Sequence, residues 1–129
     1  AALSPSVAEA QRRPIRDRVG NRGNDQRQTL QVDGRSRSYL LRTPRGHSPR
    51  STPAALVIVL HGGGGNAENA ERMTGFTRLV ERERIVVAYP DGTARQARNT
   101  LLTWNAGHCC ASAMQEQVND VAFIDALIT

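Results

Sequence analysis

The feature that most constrains the fold is an unbroken apolar run at residues 55–60, which leads directly into His61 and four consecutive glycines. Leucine, isoleucine and valine dominate the run, as is typical of a strand buried on both faces of a parallel sheet. The glycines at 62–65 allow the backbone to turn sharply and to approach another group closely. The pattern therefore predicts a buried parallel strand that ends in a tight turn.

A second apolar segment follows at the spacing of a βαβ unit. Asn66 is a predicted helix N-cap, and residues 85–89 form a second predicted buried strand that stops at Pro90. The order strand, glycine turn, helix and strand indicates two parallel strands joined by a right-handed crossover. The apolar face predicted for this helix consists of Met73, Phe76, Leu79 and Val80.

A β-hairpin is predicted in front of this unit. Residues 29–32 and 38–41 have strand patterns, and the dipeptide Asp33-Gly34 between them is a strong turn signal. Residues 43–53 are predicted to be a loop, because they contain Pro44, Pro49 and Pro53. The sequence thus predicts an α/β fold with a hairpin followed by parallel strands.

A long loop at 92–117 follows the unit, and loops of this length inside a domain are usually functional. Asp91, just before it, is predicted to form a turn, and His108 within it is predicted to lie at the surface. A last helix is predicted after the long loop. It would have Asp120 as N-cap and an apolar face of Val121, Ile124, Leu127 and Ile128.

Charge is distributed unevenly along the 129 residues, whose net charge is +5. All 17 basic residues are arginine, which excludes Schiff-base lysines, phosphate loops of the Gly-Lys-Ser/Thr type and kinase-like lysines. Residues 1–27 are rich in arginine without helical or strand periodicity, so a disordered leader is expected there. A non-catalytic module that binds polyanions through this arm is an alternative function, although nucleic acid is not expected as a partner. No apolar run is long enough to cross a membrane as a helix.

His61 and the five residues after it, termed the glycine loop (61–66), have three interpretations. Gly62, Gly64 and Ala67 match a dinucleotide fingerprint, which makes a nucleotide-binding half-domain an alternative. An oxyanion loop of the His-Gly-Gly-Gly kind is favoured by His61 directly after the strand, because backbone N–H groups there can bind a developing oxyanion. A purely structural turn is the third interpretation.

The motifs together resemble those of one family of enzymes. They are His61 with the glycines and Asn66-Ala67, Met73-Thr74-Gly75-Phe76, Tyr89-Pro90-Asp91-Gly92-Thr93, Trp104-Asn105-Ala106-Gly107 with Cys109-Cys110, and Asp120-Val121 with Phe123-Ile124. This series resembles the polyhydroxybutyrate depolymerase-like and feruloyl esterase family of secreted α/β-hydrolase esterases. The resemblance covers about residues 35–128, and residues 28–129 would form the N-terminal portion of such a domain.

The resemblance implies a Ser-Asp-His esterase acting on polyester, feruloylated polysaccharide or acylated carbohydrate. Gly63 and then Gly64 would donate their N–H groups to the oxyanion, with His61 and Gly62 supporting the loop. Trp104 and Asn105 would border the substrate pocket. The resemblance implies no cofactor and no metal, and it places the protein outside the cell or in the periplasm.

The chain departs from the family pattern at the nucleophile, because it contains no G-x-S-x-G string. The most similar string, at 46–50, lies in the predicted loop at 43–53, here termed the proline loop, which precedes the buried strand. It cannot form a nucleophile elbow, because that elbow is a turn from a strand into a helix. The catalytic serine, acid and histidine are therefore expected outside these 129 residues. The chain by itself is expected to be an incomplete domain without esterase turnover.

Cys109 and Cys110 are adjacent, and no C-x-x-C spacing indicates a metal site. Consecutive α-carbons lie about 3.8 Å apart, below the usual span of a disulfide. The sequence therefore leaves open a bridge between the two neighbours or bridges from each to cysteines elsewhere. Either arrangement is consistent with an oxidising compartment.

Overall fold

A computed structural model describes residues 26–48, 50, 52–96 and 100–129. This part of the chain is a mixed α/β structure built on a four-stranded sheet with the strand order β1-β2-β4-β3. β1 and β2 are antiparallel, β2 and β4 are antiparallel, and β3 and β4 are parallel. The strands are β1 (Gln26–Val32), β2 (Arg35–Arg42), β3 (Leu56–Ile58) and β4 (Val86–Pro90).

Helices cover both faces of the sheet. Because side chains alternate along a strand, Leu40 and Arg37 of β2 lie on opposite faces. Leu40 packs in the core under α1, whereas Arg37 reaches Phe123 of α4. No helix in the described ranges is long and apolar enough to span a membrane. The helices are α1 (Ala67–Thr74), a 3₁₀ turn (Phe76–Leu79), α2 (Val80–Glu83), α3 (Ala111–Gln115) and α4 (Asp120–Ile128).

The hairpin and the parallel pair agree with the sequence-based predictions, with shifted ends. β1 begins at Gln26, two residues inside the expected leader, and Arg27 is already paired with Leu40 of β2. Most of the expected leader, at 1–25, lies outside the described residues, as does Pro49 of the proline loop. The ladder therefore extends further toward the N-terminus than the alternation of residues 29–32 indicated.

The prediction that residues 55–60 are buried on both faces is wrong. β3 spans three residues at one edge of the described sheet, and Leu60 just beyond it is 53% exposed. The strand enclosed on both sides is β4, where Val87 and Tyr89 are fully buried between β2 and β3. An apolar run indicates a strand but does not determine whether that strand is central or at an edge.

The helix after the glycine loop is shorter than predicted. Asn66 caps it as expected, accepting a hydrogen bond from the backbone N–H of Asn69. However, Gly75, at φ 66°, ends α1 and donates its N–H to Glu71. The predicted continuous apolar face is therefore wrong: Met73 is 82% exposed. Phe76, Leu79 and Val80 follow in the 3₁₀ turn and α2, where Val80 is buried.

The last helix also differs from its prediction. Its N-cap is Asn119, whose side chain accepts from the N–H of Ala122, so the assignment of Asp120 as the cap is wrong by one residue. Phe123 is the fully buried residue, whereas Val121 is 72% exposed. Ile128 is also exposed, and Ile124 and Leu127 are half-buried, so the predicted apolar face is not the packed one.

Candidate functional site

The glycine loop lies at the carboxyl ends of the parallel strands, with His61 as its buried first residue. The N–H of Gly92 donates to Nε2 of His61 at 2.9 Å. The other ring nitrogen, Nδ1, lies 2.7 Å from the carbonyl oxygen of Gly62. Because Nε2 accepts, Nδ1 carries the proton and donates, so His61 is a neutral imidazole with both nitrogens in use. His61 therefore supports the loop and is not positioned as a catalytic base.

The amides of the glycine loop fall into two groups. Gly64 donates its N–H to the carbonyl oxygen of Leu102 at 2.8 Å, and Gly65 donates to Gly62 at 3.0 Å. Within the described ranges, the N–H groups of Gly62 and Gly63 have no hydrogen-bond partner, and both residues are exposed. A Cβ added to Gly63 would meet no atom within 4 Å. Gly63 therefore has an accessible, uncommitted donor, and Gly64 does not.

Asp91 secures the other end of the glycine loop. It is 2% exposed, and its Oδ1 accepts from the N–H of Ala67 at 2.8 Å. Its Oδ2 accepts from the hydroxyl of Ser38 at 2.7 Å and from the guanidinium of Arg27. Burial disfavours the charged form of Arg27, but its bonds to Glu68 and Asp91 outweigh burial and raise its pKa above the ordinary value. The sequence-based prediction of a turn former missed this buried carboxylate.

Trp104 covers the glycine loop from the side. Its indole Nε1 donates to the carbonyl oxygen of His61 at 3.0 Å. The two rings have centroids 5.0 Å apart at an angle of 34°. Backbone pairing of Thr103 with Thr93 fixes this part of the long loop. The ring of Trp104 is half-buried, so it both restrains the loop and leaves a surface beside it.

Asn105 uses its side chain within the protein. Its Nδ2 donates to the carbonyl oxygen of Val118 at 3.0 Å, and its Oδ1 accepts from Gly107 at 3.1 Å. The backbone N–H of Asn105 donates to Oδ2 of Asp120 at 2.7 Å. Both ends of the amide thus hold the long loop in place, which leaves Trp104 as the better candidate for contact with a ligand.

Arg37 is a buried cation that the sequence-based predictions did not single out. It is 2% exposed, lies over the ring of Phe123 at 4.2 Å, and donates to Oδ1 of Asp120 at 2.7 Å. It also donates to the carbonyl oxygen of Asp91 at 3.2 Å. The alternation of side chains along the strand could have indicated its burial, because Arg37 lies two residues before Tyr39 and therefore on the same face of β2. Tyr39 is buried.

The remaining candidates contribute no further reactive group. Cys109 and Cys110 are joined by a disulfide, and the peptide bond between them is cis. His108 is exposed. Across the residues with described positions, no three His, Cys, Asp or Glu side chains cluster as metal ligands would.

The N-terminus of α1 does not suit a dinucleotide. A pyrophosphate at such a site binds the first free amides of the helix. Asp91 already occupies the N–H of Ala67, and the side chain of Asn66 occupies that of Asn69. A carboxylate at the position of Asp91 also repels phosphate, so the geometry disfavours the nucleotide interpretation.

Comparison with known proteins identifies a partial likeness to a curated protein. Over 84 residues, the chain is 32% identical to "Putative esterase NocK" of Nocardia uniformis subsp. tsuyamanensis, and the match covers 65% of the chain. The chain spans 23% of the length of that relative. No protein-family profile matches the sequence, and no solved structure matches it.

Proposed function

We propose that this chain provides the oxyanion-hole side of a serine esterase with the α/β-hydrolase fold, of the polyhydroxybutyrate depolymerase-like and feruloyl esterase family. The observation that carries the proposal is the free N–H of Gly63 at the carboxyl end of β3, in a loop restrained at both ends. The hairpin followed by parallel strands and the partial likeness to an esterase support the same assignment.

The chemistry requires one donor from this loop. Ester hydrolysis places negative charge on the carbonyl oxygen, and a preorganised N–H at that position lowers the barrier. In α/β-hydrolases, one donor comes from the loop after the third strand and a second from the residue after the nucleophile. Gly63 would be the first donor. Gly64 would contribute indirectly, since its N–H anchors the loop to Leu102.

The proposed substrate is a carboxylic ester of a polyester, a feruloylated polysaccharide or an acylated carbohydrate. The half-buried face of Trp104 beside the glycine loop would line the acyl or leaving-group side of the pocket. Action outside the cell or in the periplasm is part of the proposal, and the disulfide of Cys109 and Cys110 is compatible with an oxidising compartment.

The test compares the natural gene product that carries this sequence with the 129-residue chain alone. Because the sequence contains no G-x-S-x-G string, the nucleophile would come from outside it. We expect the gene product to hydrolyse short p-nitrophenyl esters and a serine-directed phosphonate to abolish this activity. The 129-residue chain should show no turnover above background. A gene product without ester hydrolysis, or activity insensitive to the phosphonate, would overturn the assignment.

Two substitutions at one position test the role of Gly63. Gly63→Ala keeps the N–H and has room for the methyl group, whereas Gly63→Pro removes the donor. Loss of one oxyanion donor typically lowers kcat by about 100- to 1000-fold, and we expect Gly63→Pro to fall in that range. Gly63→Ala should retain kcat within about fivefold, because the donor remains. Unfolding midpoints of both variants provide the control for stability.

A further inference from the structure

Two consecutive residues after β4 hold both ends of the glycine loop. The backbone N–H of Gly92 binds the ring of His61, where the loop begins. The carboxylate of Asp91 binds the N–H of Ala67, where the loop passes into α1. Gly63 lies between these two attachment points and has no hydrogen bond of its own in the described structure. The orientation of its N–H therefore depends on the residues at its flanks.

The contacts of Asp91 make it a rigid attachment point. Its two carboxylate oxygens accept from Ala67, Ser38 and Arg27, and its side chain has almost no contact with solvent. Ser38 belongs to β2 and Arg27 to β1, so the carboxylate ties the loop to the two strands of the hairpin. Movement of the loop end would break bonds to a buried charge, which is costly.

We propose that Asp91 is a positioning residue that sets the direction of the Gly63 N–H toward the oxyanion. This inference rests on the proposed esterase function and assigns to it a residue that acts through the glycine loop. Asp91 acts through Ala67 at one end of the loop, and its neighbour Gly92 acts through His61 at the other. An error of about 1 Å in the position of a catalytic group can lower a rate by about 100-fold.

Glu71 offers a matched control for a purely structural role. It is a partly buried carboxylate that ties α1 to β2 through two bonds of 2.7 Å from Arg42. Its other partner is the hydroxyl of Thr77, and neither of its oxygens contacts the glycine loop. Loss of the charge at Glu71 should therefore weaken the attachment of α1 without redirecting the N–H of Gly63.

The experiment compares Asp91→Ala, Asp91→Asn and Glu71→Gln in the natural gene product. Asp91→Ala removes the acceptor for Ala67, and we expect kcat on a p-nitrophenyl ester to fall by about 10- to 100-fold with KM nearly unchanged. Asp91→Asn keeps an oxygen for Ala67, so kcat should recover to within about fivefold of the unmodified protein. Glu71→Gln should change kcat by less than about threefold even where its unfolding midpoint falls.

Inhibition by a phenylboronic acid provides the second measurement, because its tetrahedral serine adduct places an oxygen at the oxyanion position. We expect its inhibition constant to rise in Asp91→Ala in proportion to the loss of kcat, and not in Glu71→Gln. An unchanged kcat in a folded Asp91→Ala variant, or equal losses in Asp91→Ala and Glu71→Gln, would overturn the positioning role. The absence of hydrolysis in the unmodified gene product would instead overturn the proposed function, so the two failures are distinguishable.

Discussion

The loops that follow the two parallel strands differ in length and in the share of residues that carry side chains. The glycine loop after β3 is short and presents backbone amides, and only His61 and Asn66 carry side chains within it. The long loop after β4, with Asp91 before it, reaches the glycine loop and the start of α1 through the side chains of Asp91 and Trp104 and through the backbone of Gly92 and Leu102. The hydrogen bonds of His61, Gly64 and Gly65 to Gly92, Leu102 and Trp104 all come from this second region.

The difference shows how a flexible sequence becomes a rigid site. Glycines leave space for a ligand and for close approach, but they have no side chains with which to hold themselves in place. Asp91, Gly92, Leu102 and Trp104 supply the missing contacts, each through a hydrogen bond to the loop or to the residue after it. The rigidity of the glycine loop therefore depends on residues of the long loop and on Asp91 before it.

The largest expected loss of stability comes from a substitution of Asp120, the carboxylate that follows the long loop. Asp120→Ala leaves the buried guanidinium of Arg37 without its carboxylate and frees the N–H of Asn105. Removal of one member of a buried ion pair typically costs about 3–5 kcal/mol, and we expect the free energy of unfolding to fall by that amount. Urea titration of the gene product measures it. A loss below that of an ordinary surface substitution would show that Arg37 does not depend on Asp120.

A smaller loss is expected at the junction between the loops. A Cβ on Gly92 would lie 2.9 Å from the carbonyl carbon of Thr103, so Gly92→Ala must push Gly92 and Thr103 apart within the long loop. Overpacking of this kind costs about 1–3 kcal/mol. The control is Gly62→Ala, whose added methyl group meets no atom within 4 Å. Equal unfolding free energies for the two variants would contradict the close contact.

The cap of α4 should contribute less than the residue beside it. Asn119→Ala removes the acceptor for the N–H of Ala122, and loss of an N-cap costs about 1 kcal/mol. Asp120→Ala should therefore be the more damaging of these two neighbouring substitutions. A larger loss of unfolding free energy in Asn119→Ala than in Asp120→Ala in urea titrations would contradict this ranking.

The smallest effect lies outside both loops and depends on pH. The bonds from Arg42 lower the pKa of Glu71 below its ordinary value, against the opposing effect of burial. A lowered pKa in the folded state adds stability above the pKa of the unfolded chain, and this stability is lost as the pH falls through the folded value. We expect Glu71→Gln to reduce the acid sensitivity of unfolding without altering the pH profile of ester hydrolysis. An unchanged acid sensitivity would contradict this contribution.

The sequence predicted the elements whose signals are local. The apolar runs, the turn at Asp33-Gly34 and the cap at Asn66 each depend on neighbouring residues, and all three appear in the structure. Their burial was not predictable in the same way, because the exposure of Leu60 depends on the order of strands in the sheet. The prediction that Met73 is buried was wrong, because α1 ends at Gly75 and the apolar periodicity does not continue through one helix.

The restraints of the candidate site were missed for a related reason. The partners Arg37 and Asp120 are 83 residues apart in the sequence, and Asp91 and Ala67 are 24 apart. No local pattern distinguishes a carboxylate that forms a turn from a buried carboxylate that accepts three hydrogen bonds. The oxyanion role of Gly63 stays a prediction that rests on a contiguous motif, whereas the contact that occupies the N–H of Gly64 involves Leu102 of the distant long loop.

The attachment of the glycine loop also determines when its contacts can form during synthesis of the chain. The residue that binds the ring of His61 lies 31 positions later in the chain, and the indole that binds its carbonyl oxygen lies 43 positions later. A growing chain can close the β1–β2 hairpin early, because its contacts are local. The geometry around Gly63 must wait until Trp104 has left the ribosome, so the feature on which the proposed chemistry depends is among the later ones this part of the chain acquires.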